Sequence, residues 1–175
     1  MINNGTASNT VTIQVAATAP GILTQTQNGI GYGDVVHQDG TLVNAKNPAQ
    51  PGETVLLFLT GLGAVNPAIS DGAPGPSDTL SQATNTIAAT IGGMDAKISY
   101  AGLAPQLAGL YQINLTIPTG LKAGDNNLDI SGPDSYTSES LIAIGGSATA
   151  AEAAAVTPRA KAVRGKRRAT SPAIR

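Results

Sequence analysis

The chain offers a single histidine and no cysteine, so its capacity for acid–base or metal chemistry turns on what could gather around His37. Asp34 and Asp39 flank it, and Asp39 is followed by Gly40. A catalytic or metal-binding histidine needs convergent partners, and neither an H-x-H nor an H-x-x-x-H spacing exists here. His37 therefore reads as a surface or half-buried side chain. Two further acids, Asp71 and Asp78, bracket a Pro/Gly-rich stretch. Calcium takes about six to eight oxygen ligands, but no D-x-D-x-D-G run is present, and turn-forming aspartates are the expected role. Serines and threonines are abundant without a G-x-S-x-G elbow. The glycines of NGIGYG (28–33) do not stand between a strand and a helix as a phosphate-binding loop requires. With thiolate chemistry also excluded, no catalytic residue, no metal ligand and no cofactor is expected, and the chain is not expected to be an enzyme.

The densest charge lies near the C-terminus. The net charge of −1 is made of two unlike parts. Residues 1–151 carry ten acids and three bases (Lys46, Lys97, Lys122), a balance of −7. Residues 152–175 carry one acid, Glu152, and seven bases, a balance of +6. Arg159, Lys161, Arg164, Lys166, Arg167 and Arg168 would attract polyanions with an affinity that falls with salt. A solvated, disordered basic tail is the favoured reading, because nothing in 147–175 buries apolar area against the entropy of ordering. Nucleic acid is accordingly not the expected partner.

What must position any site is a set of short strands. Residues 10–16 (TVTIQVA) alternate with Val11, Ile13 and Val15 on one face, the pattern of a half-buried strand. Residues 34–37 and 41–43 flank Asp39-Gly40, a hairpin signal. The strongest apolar run is 53–60 (ETVLLFLT), expected centrally in a sheet with both faces covered. Seven glycines and prolines at 61–76 predict a long irregular surface loop over 61–79. Residues 85–91 and 95–101 flank Gly92-Gly93 as a hairpin, with a second loop at 102–109. Residues 110–117 alternate on Tyr111, Ile113, Leu115 and Ile117. A final hairpin joins 126–131 to 137–144, with Leu128, Ile130, Ile142 and Ile144 inward. Seven to nine strands at roughly ten-residue spacing, without an amphipathic helix, predict an all-β fold: an antiparallel immunoglobulin-like β-sandwich with a disordered basic C-terminal tail.

Three segments follow: an end strand at 1–16, expected to be the remnant of a preceding module; the sandwich at 17–146; and an Ala-rich then basic tail at 147–175. No run of about 18 apolar residues suggests a membrane span. No signal-peptide pattern opens the chain, and the first residues read as a strand's tail and its turn.

Several motifs together carry a resemblance: APGIL at 19–23, DGTLVNAKNPAQPGE at 39–53, FLTGLGAV at 58–65, GGMDAKISYA at 92–101 and AGLAPQLAGLYQINLTIP at 101–118. In this order and spacing they resemble the Solibacter-type uncharacterised C-terminal domain family of acidobacterial secreted and surface proteins. Leu23 and Leu107 stand where aromatics are usual in that family. The resemblance implies an extracellular β-sandwich module. The leading expectation is a non-catalytic extracellular or cell-surface module of a longer chain, serving adhesion, assembly or glycan contact, with a cell-surface glycan or protein as partner. It implies no reaction and carries over no catalytic residue. An accessory substrate-binding module of a secreted hydrolase is the alternative, with polyanion binding through the tail a third.

Overall fold

A computed structural model describes residues 2–13 and 15–146. These are all-β. The elements are β1 (Ile2–Asn3), β2 (Thr6–Ala7), β3 (Gly21–Ile22), β4 (Val35–Val36), β5 (Thr54–Thr60), β6 (Val65–Asn66), β7 (Gln82–Ala83), β8 (Ala88–Ile91), β9 (Met94–Asp95), β10 (Lys97–Leu103), β11 (Tyr111–Thr116), β12 (Gly124–Ser131) and β13 (Ser138–Ile144). None of the described residues forms a helix, so none supplies a helix long and apolar enough to cross a membrane.

Two antiparallel sheets enclose one core. The larger runs β3-β5-β11-β10-β7-β6, with β4 also pairing β5; the smaller runs β13-β12-β8-β9. Alternation explains which side chains meet, because successive residues of a strand point to opposite faces. Val55, Leu57 and Leu59 of β5, with Ile113 and Leu115 of β11, face inward from the large sheet. Ile91, Leu128, Ile130, Ile142 and Ile144 answer them from the small one, and all ten are at most 2% exposed. The central placement of 53–60 holds, since β5 is bonded to β11 on one side and to β3 and β4 on the other. Its second face is less covered than expected: Leu56 and Phe58 are only half-buried.

The returning strand after Gly92-Gly93 serves both sheets. Met94–Asp95 pairs β8 in the small sheet, and from Lys97 onward the chain pairs β11 in the large one. Ala96 is the crossing point, and it is buried. The free edge of β13 is closed by loop backbone. Leu141 exchanges bonds with Gly31 and Gly33, and Ala49 reaches Ala143 and Gly145.

Three expectations need correction. Residues 10–16 are not a half-buried strand. Val11, Ile13 and Val15 are 70%, 77% and 89% exposed, and no ladder includes them. Alternation prepares a face for burial, but no described element covers it. Second, 61–79 is not wholly irregular, because β6 pairs β7 at the sheet edge. Third, the loop expected at 102–109 starts later, since Gly102 and Leu103 still belong to β10. The Ala-rich and basic tail expected at 147–175 lies outside the described residues.

Candidate contact sites

An open groove of 730 Å³ lies where β3 meets the end of β5. Gly21, Ile22 and Thr60 form its base, following the register Gly21↔Thr60 and Ile22↔Leu59. Its walls are Leu23, Thr24, Gln25, Gln27, Asp34 and Leu42. The polar lining is therefore hydroxyl and amide with one carboxylate, beside the partly exposed Leu23 and Leu42.

The walls are braced from within. Gln25 Nε2 donates to the carbonyls of Val43 (2.8 Å) and Gly33 (3.1 Å), tying the 23–33 segment to the Asp39-Gly40 hairpin. The glycine-rich rim is held by Thr24 Oγ1, which accepts from Gly29 N, and by Asn28 Oδ1, which accepts from Ile30 N. Thr26 Oγ1 is placed to donate to Asn28 Oδ1 or to the Ile30 carbonyl. Such short side chain-to-backbone bonds hold a loop without a core beneath it. These bonds tie the groove's walls to neighbouring backbone, and bracing of this kind lowers the ordering cost of binding.

His37 lies at the far end of the same hairpin and is already committed. Its Nδ1 stands 2.5 Å from Glu53 Oε1 and its Nε2 stands 3.2 Å from the Asn47 carbonyl. Glu53 Oε2 also accepts from Gln50 N at 2.8 Å. Two acceptors on opposite ring nitrogens favour the imidazolium, which alone donates from both. Desolvation is the largest single influence on the ring and opposes the charge. The hydrogen bonds to Glu53 and Asn47 and the fields of Glu53 and Asp39 together outweigh it, so the pKa is raised. This pairing was not foreseen. The β4–β5 register, Val35↔Leu57 and Val36↔Leu56, extrapolates to place His37 opposite Val55, which makes Glu53 its diagonal neighbour within reach of a long side chain. That register could not be read before the pairing of the two strands was known.

The acids weighed for calcium do not converge. Asp34 lines the groove, while Asp39 accepts from Thr41 N and Thr41 Oγ1, bonds that hold its pKa down. Asp78 accepts from Thr79 N. Among the described residues, no three histidine or acidic side chains gather closely enough to hold a metal ion. The six basic residues between Arg159 and Arg168 lie outside the described residues.

The loops at 61–79 and 102–109 meet each other. Gly75 N donates to the Leu107 carbonyl, and Gln106 N donates to the Gly75 carbonyl at 2.7 Å. They form one joined surface with Leu107 about half exposed.

No family model matches the chain, and no curated protein or solved structure matches it.

Proposed function

We propose that this chain is a non-catalytic, immunoglobulin-like β-sandwich module of an extracellular or cell-surface protein, of the Solibacter-type C-terminal domain family, and that it works by contact. One observation carries the reading: the braced groove beside β3, lined by Thr24, Gln25, Gln27, Asp34 and Thr60 and flanked by Leu23 and Leu42. Hydroxyls and amides on a rigid rim are suited to hydrogen-bonding a hydroxyl-rich ligand such as a glycan. No aromatic ring lines the groove, so affinity would come from hydrogen bonds with little stacking. Millimolar binding, about −4 kcal/mol, is the scale to expect.

The use of the other polar side chains supports the same reading. His37 and Glu53 clasp a loop, Tyr111 Oη donates to the Gly63 carbonyl, and Tyr100 Oη donates to the Leu103 carbonyl at 2.7 Å. The groups best able to do chemistry are spent on shape. The test is a saturation-transfer NMR screen of the chain against neutral and acidic oligosaccharides. Binding that Leu42→Lys and Gln27→Ala both weaken is the expected result. A blank screen, or binding indifferent to both changes, refutes the groove as the contact site.

A further inference from the structure

Asp34 stands at the outer side of the large sheet. Its neighbour Val35 is buried in the core, and so is Ile22. Successive residues of an extended chain point to opposite faces, so Asp34 and Leu23 turn outward, as Thr60 does after buried Leu59. All three line the groove. The backbone of Asp34 is fully engaged. Its N donates to the Leu23 carbonyl at 2.7 Å, and its carbonyl accepts from Phe58 N at 3.1 Å. These bonds fix the residue against β5.

Its carboxylate is not engaged. Among the described residues three acids are half-buried: Asp34, Glu53 and Asp129. Glu53 pairs with His37 and accepts from Gln50 N, and Asp129 Oδ2 accepts from Thr90 Oγ1. The Asp34 carboxylate accepts no hydrogen bond and pairs with no base among the described residues. No Lys, Arg or His lines the groove. A carboxylate that has given up part of its water and found no donor in the protein is poised to take one from a ligand.

Charge and lining together indicate which ligand. A hydrogen bond from a cationic N–H to a carboxylate is roughly twice as strong as a neutral one. An anionic ligand would meet a lone carboxylate on a body whose residues 1–151 carry ten acids against three bases, a field that repels it. The rest of the lining, Thr24, Gln25, Gln27 and Thr60 with Leu23 and Leu42, suits hydroxyls and the apolar face of a ring. A lysine side chain would use the carboxylate and leave the hydroxyls and amides idle. We propose that the groove takes a sugar bearing a free, protonated amine, and that Asp34 selects it. This inference rests on the groove being the contact site for a hydroxyl-rich ligand.

The probes are a glucosamine tetramer and its fully N-acetylated counterpart, which share ring and linkage and differ in the cation. NMR titration of the isotope-labelled chain, at low salt and a pH that keeps the sugar amine protonated, should show the amine form binding about 5-fold tighter. The shifts should centre on the amides of Leu23, Asp34 and Thr60. At about 1 M salt, where charges are screened within about 3 Å, most of the preference should vanish. Asp34→Asn should bring the two affinities together. Asp71→Asn removes the same charge from an exposed position outside the groove and should keep the preference. The Asp34 side chain makes no bond within the protein, so an unchanged melting temperature is the folding control for its variant. Equal affinity for the two sugars overturns the selection by Asp34 and leaves the groove standing. Equal loss of preference in Asp34→Asn and Asp71→Asn also overturns it, since the attraction is then to net charge. Tetralysine that binds as tightly as the glucosamine tetramer, with the same dependence on Asp34, overturns the sugar in favour of a basic peptide. Binding of neither sugar overturns the groove reading and the inference together.

Discussion

Gly61 and Gly40 make a matched pair. Both sit in left-handed backbone, at φ of 80° and 83°, so alanine at either costs the same strain of roughly 1–2 kcal/mol. Their surroundings differ. A Cβ on Gly40 meets nothing within 4 Å, whereas one on Gly61 would stand 1.8 Å from the Ala19 carbonyl oxygen. That carbonyl belongs to the segment crossing onto β5, held by Ala19 N donating to Gly61 O at 2.8 Å and by Gly21↔Thr60 pairing. Relief of the clash requires this segment to lift, which breaks that bond and strains the Asn85–Ala17 and Thr18–Pro133 bonds nearby. At about 1 kcal/mol for each of two or three bonds, Gly61→Ala should cost roughly 3–5 kcal/mol against 1–2 for Gly40→Ala. Unfolding about 130 residues carries an entropy near 0.27 kcal/mol/K, so each kcal/mol lowers the melting temperature by about 4 °C. Calorimetry should give losses of about 4–7 °C for Gly40→Ala and about 11–18 °C for Gly61→Ala. Hydrogen exchange at the Ala19 amide should speed up only in the second. Losses equal within about 2 °C would show that the crossing segment is not pinned at Gly61, and the reasoning fails.

Two further outcomes follow from the same geometry. The raised pKa of His37 means that the folded state binds the proton more tightly than the unfolded one. Its contribution is fully present below the unfolded value and is lost as pH rises through the folded value. Urea midpoints of the chain and of His37→Gln should differ most near pH 6 and converge by about pH 9, with a gap of about 0.2–1 kcal/mol as for other partly exposed pairs. A gap that widens with pH contradicts the clasp. In the core, Leu128 is 0% exposed between the sheets, and Leu128→Ala should cost about 2–5 kcal/mol by denaturant titration. Leu42→Ala, at a site 44% exposed, should cost well under half as much, and equal costs would misplace the core.

The legibility of this fold in its sequence depended on whether a period settled the question. Inside and outside were readable on β11 and at Leu128, Ile130, Ile142 and Ile144 of β12 and β13, because alternation leaves one burial pattern, whereas the unbroken apolar run of β5 did not tell its two faces apart. The division into sheets was not, since a period of two says which face is buried and not which neighbour is bonded. That is why residues 94–103 read as one returning strand, although Ala96 carries the chain from one sheet to the other. The same gap hid the His37–Glu53 clasp and the meeting of Gly75 with Gln106 and Leu107, each fixed by a pairing of distant segments. Alternation misled at 10–16, where Val11, Ile13 and Val15 are exposed and no described element covers them.

On the body, several strand edges are closed by backbone. Loop residues 31–33 and 49 seal the edge of β13, β4 and β3 share the edge of β5, and β6 pairs β7. Charged residues are only 12% of the chain, so there is little charge to repel an approaching strand. Pairing an edge with the chain's own backbone is the protection that remains, and it ties loops distant in sequence to the sheets they cover.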